Sequence, residues 1–154
     1  LVAHELQKLP FPNNYRGFEL NPLAVEAARA LNPGLSFSQA DLFQLDLQAE
    51  PADLVMMLEV LEHLDRPDLA VARLASWTRR AGLFSVPWEP WFRIGNFARG
   101  KYLKRLGNHP EHVQQFDHRS FHALLAPHFA DVHVFSCFPW LIGIVQNPRQ
   151  GPRA

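Results

Sequence analysis

The sequence has one cysteine, Cys137, and no apolar run long enough to cross a membrane. A single cysteine excludes a disulfide within the chain and is typical of a reducing compartment, so we expect a cytoplasmic location. A membrane-spanning helix needs about 18–20 apolar residues. The longest candidate, residues 137–145, contains Pro139 and Gly143. These absences exclude a disulfide-stapled domain and a helical membrane protein.

The chain also lacks a net charge, because 15 Lys and Arg residues balance 15 Asp and Glu residues over its 154 residues. The overall charge therefore does not favour a nucleic-acid-binding protein. A hydrophobic content of 47% is enough for a buried core, and the length favours one domain. The charges are uneven, since acids concentrate at 41–68 and five bases without an acid lie at 93–105.

Short apolar segments alternate with segments of helical periodicity, which is typical of a doubly wound α/β fold with a mostly parallel sheet. The predicted strands lie at 15–20, 35–37, 53–58, 83–87, 131–135 and 141–145. The predicted helices lie at 22–31, 68–80 and 120–125. The last two strands are close enough in sequence for a hairpin, which predicts an antiparallel strand at the carboxyl end.

The pattern also predicts caps and buried faces. Asn21 is expected to be the N-cap of the first helix, with Pro22 at its first position. The predicted helix faces comprise Leu23, Ala27, Ala30 and Leu31 in the first helix and Leu69, Ala72, Leu74 and Ala75 in the second. The nearly continuous apolar run at 53–58 predicts a strand covered on both faces.

We predict one domain over residues 1–147 and a frayed tail that begins near Asn147, with 148–154 outside the domain. Residues 88–117 interrupt the pattern with aromatic and basic side chains, which is typical of a lid or binding wall for an anionic or amphipathic substrate. Such a segment also suits single-stranded nucleic acid or an anionic membrane, and a solvated face with inward aromatics is a commoner explanation.

Three candidate sites follow from the rule that open α/β sheets bind ligands outside the carboxyl ends of their strands. Glu19 closes the first strand and can accept both hydroxyls of a ribose; the alternative is a solvated carboxylate. Asp41 follows the second strand and can accept from an adenine amino group; the alternative is a turn or helix cap.

The third candidate is the segment 58–64, which begins where the most buried predicted strand ends. Its first backbone groups and Glu59 are expected to face the ligand crevice. The alternative is a helical turn with Leu61 and Leu64 in the core, two exposed acids, Glu59 and Glu62, and His63 as a packing residue.

Together these segments resemble the class I S-adenosylmethionine-dependent methyltransferases, in particular the small-molecule group that includes quinone-biosynthesis enzymes. The matching segments are 17–22 with Ala24, Glu26, Ala28 and Arg29, then 37–41, 53–64 and 80–87, within a match over about 15–145. The resemblance implies a Rossmann-like methyltransferase fold and S-adenosyl-L-methionine as cofactor.

Carried over residue by residue, the resemblance implies that Glu19, with Leu20 and Asn21, contacts the ribose of the cofactor. The segment of Ala40, Asp41 and Leu42 is implied to contact the adenine. Leu58 and Glu59 are implied to lie near the methionine part, and His63 is a further predicted cofactor-binding residue.

The family's glycine-rich turn after a central first strand has no counterpart among the eight glycines, none of which forms a G-x-G cluster. That loop approaches the cofactor closely because glycine lacks a side chain. Its natural place is before Leu1, so we expect upstream sequence and a missing first strand.

Catalytic candidates come from the polar and aromatic cluster 108–116. We predict His109 or His112 as a general base or substrate contact and Gln115 as a positioning residue, the alternative being that His109 and Glu111 organise a loop. His118 and His122 are four residues apart on a predicted helix, but no further ligand completes a metal site, so none is predicted.

The leading prediction is a cytoplasmic enzyme that methylates an oxygen, nitrogen or carbon of a small molecule. One alternative is a catalytically inactive methyltransferase-like scaffold, which the absent glycine loop favours. A second is a domain that uses the same strand ends for another nucleoside cofactor.

Overall fold

The computed structural model describes residues 14–45, 51–88 and 114–149. The chain divides into two compact units, Leu1–Asp46 and Leu47–Ala154. We describe each unit by itself. The predicted catalytic candidates His109 and His112, and most of the predicted insertion, lie outside the described residues.

The first unit contains two parallel strands joined by a helix. Strand β1 is Arg16–Glu19, helix α1 is Pro22–Leu31 and strand β2 is Ser36–Gln39. Asn21 caps α1 as predicted, because its side-chain oxygen accepts the backbone N–H of Leu23 at 2.9 Å. The helix ends at the predicted place, before Gly34, whose φ of 98° is one that side chains other than glycine's rarely adopt.

Within this unit, the prediction of which residues of α1 are buried is wrong. Leu23 and Leu31 are 73% and 75% exposed, and Val25 is the buried apolar residue of the helix. Asn32, seven residues after Val25, is also buried, and Ala28 between them is partly buried. This i, i+3, i+7 spacing defines the inward side of α1, because helical residues at such spacing share a face.

The second unit is built on a four-stranded mixed sheet. Its strands are β3 (Ala52–Leu58), β4 (Thr78–Pro87), β5 (Phe129–Cys137) and β6 (Trp140–Pro148), in the order β3-β4-β6-β5. β3 and β4 are parallel, whereas β6 is antiparallel to both β4 and β5. The α/β class and the antiparallel strand at the carboxyl end are therefore confirmed.

Two helices and a short turn complete the second unit. A 3₁₀ turn, Leu61–His63, follows β3; helix α2 is Pro67–Trp77 and helix α3 is His118–Leu125. Asp117 caps α3 in a capping box, in which the carboxylate and Ser120 bond each other's backbone N–H groups.

The core of the second unit lies on one face of the sheet. Residues paired across neighbouring strands share a face of the sheet, as Met57, Phe84 and Gly143 of β3, β4 and β6 do. Helix α3 packs against this face. A Cβ at Gly143 would lie 2.7 Å from Leu125 and 3.2 Å from Phe121 of α3, so these side chains would have to shift to admit one. The buried apolar set of β4, β6 and α3 is Phe84, Val86, Leu141, Val145, Phe121 and Leu125.

Two local predictions for this unit are wrong, and a third, the buried face of α2, is only partly confirmed. β3 is not covered on both faces, because Leu54 is 49% exposed while Val55 and Met57 are buried. In α2, Leu74 and Ala75 are buried as predicted, but Ala70 and Val71 complete the inward face, whereas Leu69 is 46% exposed and Ala72 is only partly buried. β6 continues through Asn147 to Pro148, where pairing with β5 extends the strand into the predicted tail.

None of the helices within residues 14–45, 51–88 and 114–149 is long and apolar enough to span a membrane. The single domain over residues 1–147 stays a prediction.

Candidate functional site

In the first unit, the carboxyl ends of the two strands bring several predicted residues together. Glu19 is exposed, and its Oε1 accepts the backbone N–H of Asn21 at 3.0 Å. The N–H of Ala40 donates to the Glu19 carbonyl at 3.0 Å, and the Gln39 side chain donates to the Leu20 carbonyl at 3.2 Å. The segments predicted for ribose and adenine contact are thus adjacent at one edge.

Asp41 forms the turn that was the alternative to an adenine contact. Its Oδ1 accepts the N–H of Phe43 at 2.9 Å, and its Oδ2 accepts the Gln44 side-chain amide at 3.2 Å. An ionised carboxylate has about four lone-pair sites, so two hydrogen bonds leave acceptor capacity on both oxygens. Asp41 and the partly buried Leu42 are therefore held in a fixed turn beside Ala40.

In the second unit, Glu59 lies immediately after β3 and is held by two neighbouring strands. Its Oε1 accepts from the Ser85 hydroxyl of β4 at 2.8 Å, and its Oε2 accepts from the Trp140 indole N–H of β6 at 2.8 Å. Its backbone N–H donates to the Ser85 carbonyl at 3.2 Å. Burial raises the pKa of Glu59, and the two hydrogen bonds and His63 oppose that rise.

Glu59 also has an unusual backbone conformation. Its φ of 56° lies in the left-handed region, which costs a residue other than glycine about 1–2 kcal/mol. Residues in such conformations persist where their surroundings determine them, and they concentrate at functional sites. The hydrogen bonds that Ser85 and Trp140 donate to the Glu59 carboxylate help to hold the residue in place.

Glu62 is the residue that the sequence interpretation missed. The alternative interpretation of this turn made Glu62 an exposed acid, but it is only 1% exposed, and its Oε2 has no hydrogen-bond partner among the described residues. Burial raises its pKa to about 7 from an ordinary value near 4.5, with a further rise from the Glu59 charge. Its Oε1 lies 3.7 Å from Nε2 of the partly exposed His63. The only signal in the sequence was that Glu62 stands between the apolar residues Leu61 and Leu64.

The turn that carries Glu62 also fixes the chain where residues 89–113 end. The Glu62 carbonyl accepts the N–H of Gln114 at 3.0 Å, while Gln115, the predicted positioning residue, is exposed. Phe116 forms a β-bridge with Trp88, the last described residue before that segment. The Trp88 N–H donates to the Pro139 carbonyl at 2.9 Å, so both described ends of the predicted insertion are anchored in the second unit.

His118 and His122 both lie on α3, as predicted. The His118 ring meets the Trp88 ring edge to face, with centroids 5.3 Å apart. Among the described residues, no three His, Cys, Asp or Glu side chains are close enough to hold a metal ion.

The sequence matches the profile of a family described as a methyltransferase domain over residues 1–86. No curated protein matches the sequence. Solved structures resemble the chain more widely, and 146 of their chains match it.

An O-methyltransferase family protein from Burkholderia thailandensis superposes with a TM-score of 0.70 at 18% identity, covering 95% of this chain and 47% of that one. Magnesium protoporphyrin IX methyltransferase from Synechocystis with bound SAH gives a TM-score of 0.59 at 18% identity, covering 88% of this chain and 64% of that one.

The plantazolicin methyltransferase, in complex with a desmethyl analogue and SAH, gives a TM-score of 0.74 at 12% identity, covering 95% of this chain and 72% of that one. At these identities the likeness concerns the fold. The chain spans about half to two thirds of the first two of these proteins.

Proposed function

Because the chain belongs to the methyltransferase-domain family, we propose that it transfers a methyl group from S-adenosyl-L-methionine to a small molecule. The family match carries this proposal. The methyl acceptor is an oxygen, nitrogen or carbon atom of that molecule. The class I fold that the chain shares with solved methyltransferases supports it.

The edge of the first unit suits the nucleoside part of the cofactor. Glu19 is exposed at the end of β1 and uses one lone pair on the Asn21 N–H, which leaves acceptor sites for two ribose hydroxyls. Leu20 and Asn21 present the backbone beside it. In the adjacent turn, Asp41 accepts from the adenine amino group, and the backbone of Ala40 and Leu42 flanks the ring.

The end of β3 suits the amino acid part of the cofactor. Leu58 offers its backbone, and Glu59 offers a carboxylate for a positively charged amino group. We assign His63 a place beside Glu59, since its charge acts on that carboxylate. When bound, the cofactor supplies an activated methyl group on a sulfonium.

The protein's own contribution to the transfer is alignment. In-line displacement needs the acceptor atom held close to the methyl group, and positioning of this kind lowers barriers without any covalent step by the protein. His109 or His112 removes a proton from an oxygen or nitrogen acceptor, and Gln115 orients the substrate. The bases at 93–105 favour an anionic or amphipathic substrate.

Titration calorimetry of the full-length protein with S-adenosylmethionine tests the cofactor assignment, and binding in the micromolar range is expected. Glu19→Ala and Asp41→Ala should each weaken affinity by about tenfold or more, because each removes a charged acceptor. Glu26→Ala and Asp65→Ala remove exposed acids elsewhere and serve as matched controls. Unchanged affinity in both site variants would contradict the assignment.

Turnover separates the catalytic candidates from the cofactor site. His112→Ala, or His109→Ala, should lower turnover by about 100-fold while cofactor affinity stays near that of the wild type, since a general base acts on the acceptor. Cofactor binding without any turnover across acceptor classes would instead indicate an inactive scaffold.

A further inference from the structure

The Glu59 carboxylate is held at both of its oxygens by residues distant in sequence. Ser85 belongs to β4 and pairs in register with Leu58, the residue before Glu59. Trp140 begins β6 and pairs with Pro87 of β4. Three strands that are neighbours in the sheet thus converge on one side chain.

Holding both oxygens fixes the plane of the carboxylate. Each oxygen receives one donor at 2.8 Å, so rotation of the carboxyl group breaks at least one hydrogen bond. Each oxygen retains a further lone pair, and Glu59 is only half-buried, so a ligand donor can still reach it. A group that is fixed before binding loses less entropy when the ligand arrives.

The same two donors favour the charged form of Glu59. Burial raises the pKa of the carboxyl, while the Ser85 and Trp140 hydrogen bonds lower it. Among the described residues, the titratable groups that act on it are Glu62 and His63 of the adjoining turn. Ser85 and Trp140 of the packed strands contribute donors without charge.

We propose that Ser85 and Trp140 are positioning residues that hold the Glu59 carboxylate in one orientation for the amino group of the cofactor. This inference rests on the proposed function, in which Glu59 contacts that group. Neither residue touches the cofactor; each acts through Glu59.

The test is a set of variants that remove one donor at a time. Trp140→Phe removes the indole N–H and keeps an aromatic ring, Ser85→Ala removes the hydroxyl, and Glu59→Gln removes the charge. The matched controls are Trp77→Phe and Ser76→Ala, which make the same changes at two adjacent residues of α2. Each protein is titrated calorimetrically with S-adenosylhomocysteine over a range of pH.

Trp140→Phe and Ser85→Ala should each weaken binding by about fivefold to tenfold, because each acts indirectly and the loss corresponds to the net contribution of one typical hydrogen bond. The pH at which Glu59 becomes charged should move upward in both, because each loses a donor that lowers its pKa. In the Glu59→Gln background, neither substitution should weaken binding further, since the carboxylate through which they act is gone.

A measurement without ligand separates this inference from the proposed function. The indole N–H resonance of Trp140 should follow the titration of Glu59 in the wild type, and Glu59→Gln should abolish that titration. If the wild type binds S-adenosylhomocysteine while Trp140→Phe and Ser85→Ala bind equally well, the positioning role is overturned and the proposed function stands. If the wild type does not bind S-adenosylhomocysteine, the proposed function and the positioning role are both overturned. The indole resonance then reports only a structural hydrogen bond between Trp140 and Glu59.

Discussion

The two units of the chain differ in how much of their apolar surface they bury. In the first unit Val25 is the buried apolar residue among those described, and Leu20, Leu23 and Leu31 are each more than 60% exposed. The second unit buries aromatic and aliphatic side chains on one face of a four-stranded sheet, several of them completely. Burial of apolar surface is the main favourable contribution to folding. Stability should therefore depend on the second unit much more than on the internal contacts of the first.

A matched pair of leucine substitutions tests this difference. Leu125→Ala should lower the free energy of unfolding by about 2–5 kcal/mol, because Leu125 is completely buried beneath Gly143. Leu23→Ala, at a helical position that is 73% exposed, should change it by less than about 0.5 kcal/mol. Denaturant unfolding measures both, and equal losses would contradict the contrast between the units.

Glu62 provides a pH-dependent test within the second unit. Its pKa of about 7 in the folded state exceeds the ordinary value near 4.5, so between these pH values the folded protein binds more protons than the unfolded protein. The free energy of unfolding should therefore fall as the pH rises through this window, by about 3 kcal/mol from this group. Glu62→Gln should remove most of that fall.

Unfolding of the wild type and Glu62→Gln at pH 5 and pH 8 provides the measurement. Asp65→Asn, which changes an exposed acid in the same region, is the control and should keep the wild-type pH dependence. A parallel pH profile for wild type and Glu62→Gln would show that Glu62 ionises as an ordinary glutamate.

A smaller effect than that of Leu125→Ala or of Glu62 is expected at the helix caps. Asn21→Ala removes the acceptor for the Leu23 N–H and should destabilise α1 by about 1 kcal/mol. Hydrogen exchange at the first turn of α1 should increase accordingly. The equivalent change at Asp117, the cap of α3, should instead increase exchange in α3. Unchanged exchange at the first turn of α1 in Asn21→Ala would contradict the capping role of that side chain.

The sequence predicted well those features of the fold that depend on interactions between residues close together in the chain. The Asn21 cap follows from a capping residue before a proline, and the strands follow from short apolar runs. The hairpin of β5 and β6 follows from the short connection between them. The sequence displays all three signals directly. The predicted buried face of α1 was wrong and that of α2 was only half right, because burial depends on which neighbours each helix meets. Leu23 and Leu69 stand at suitable helical positions but are exposed.

The candidate site shows the same division. Glu19, Asp41 and Glu59 were identified because each lies at the carboxyl end of a predicted strand or shortly after it, a position that the sequence reveals. The hydrogen bonds to Glu59 join residues 26 and 81 positions apart, so only the order of strands in the sheet brings Ser85 and Trp140 to it. The burial of Glu62 likewise depends on the packing around its turn.

Hydrogen–deuterium exchange of the full-length protein, with and without saturating S-adenosylhomocysteine, tests the central claim most directly. Peptides that contain residues 19–21, 40–42 and 58–59 should all be protected by the ligand, at the same ligand concentration. Absence of protection in any of these three segments would contradict the cofactor contact proposed for the residue of that segment, Glu19, Asp41 or Glu59.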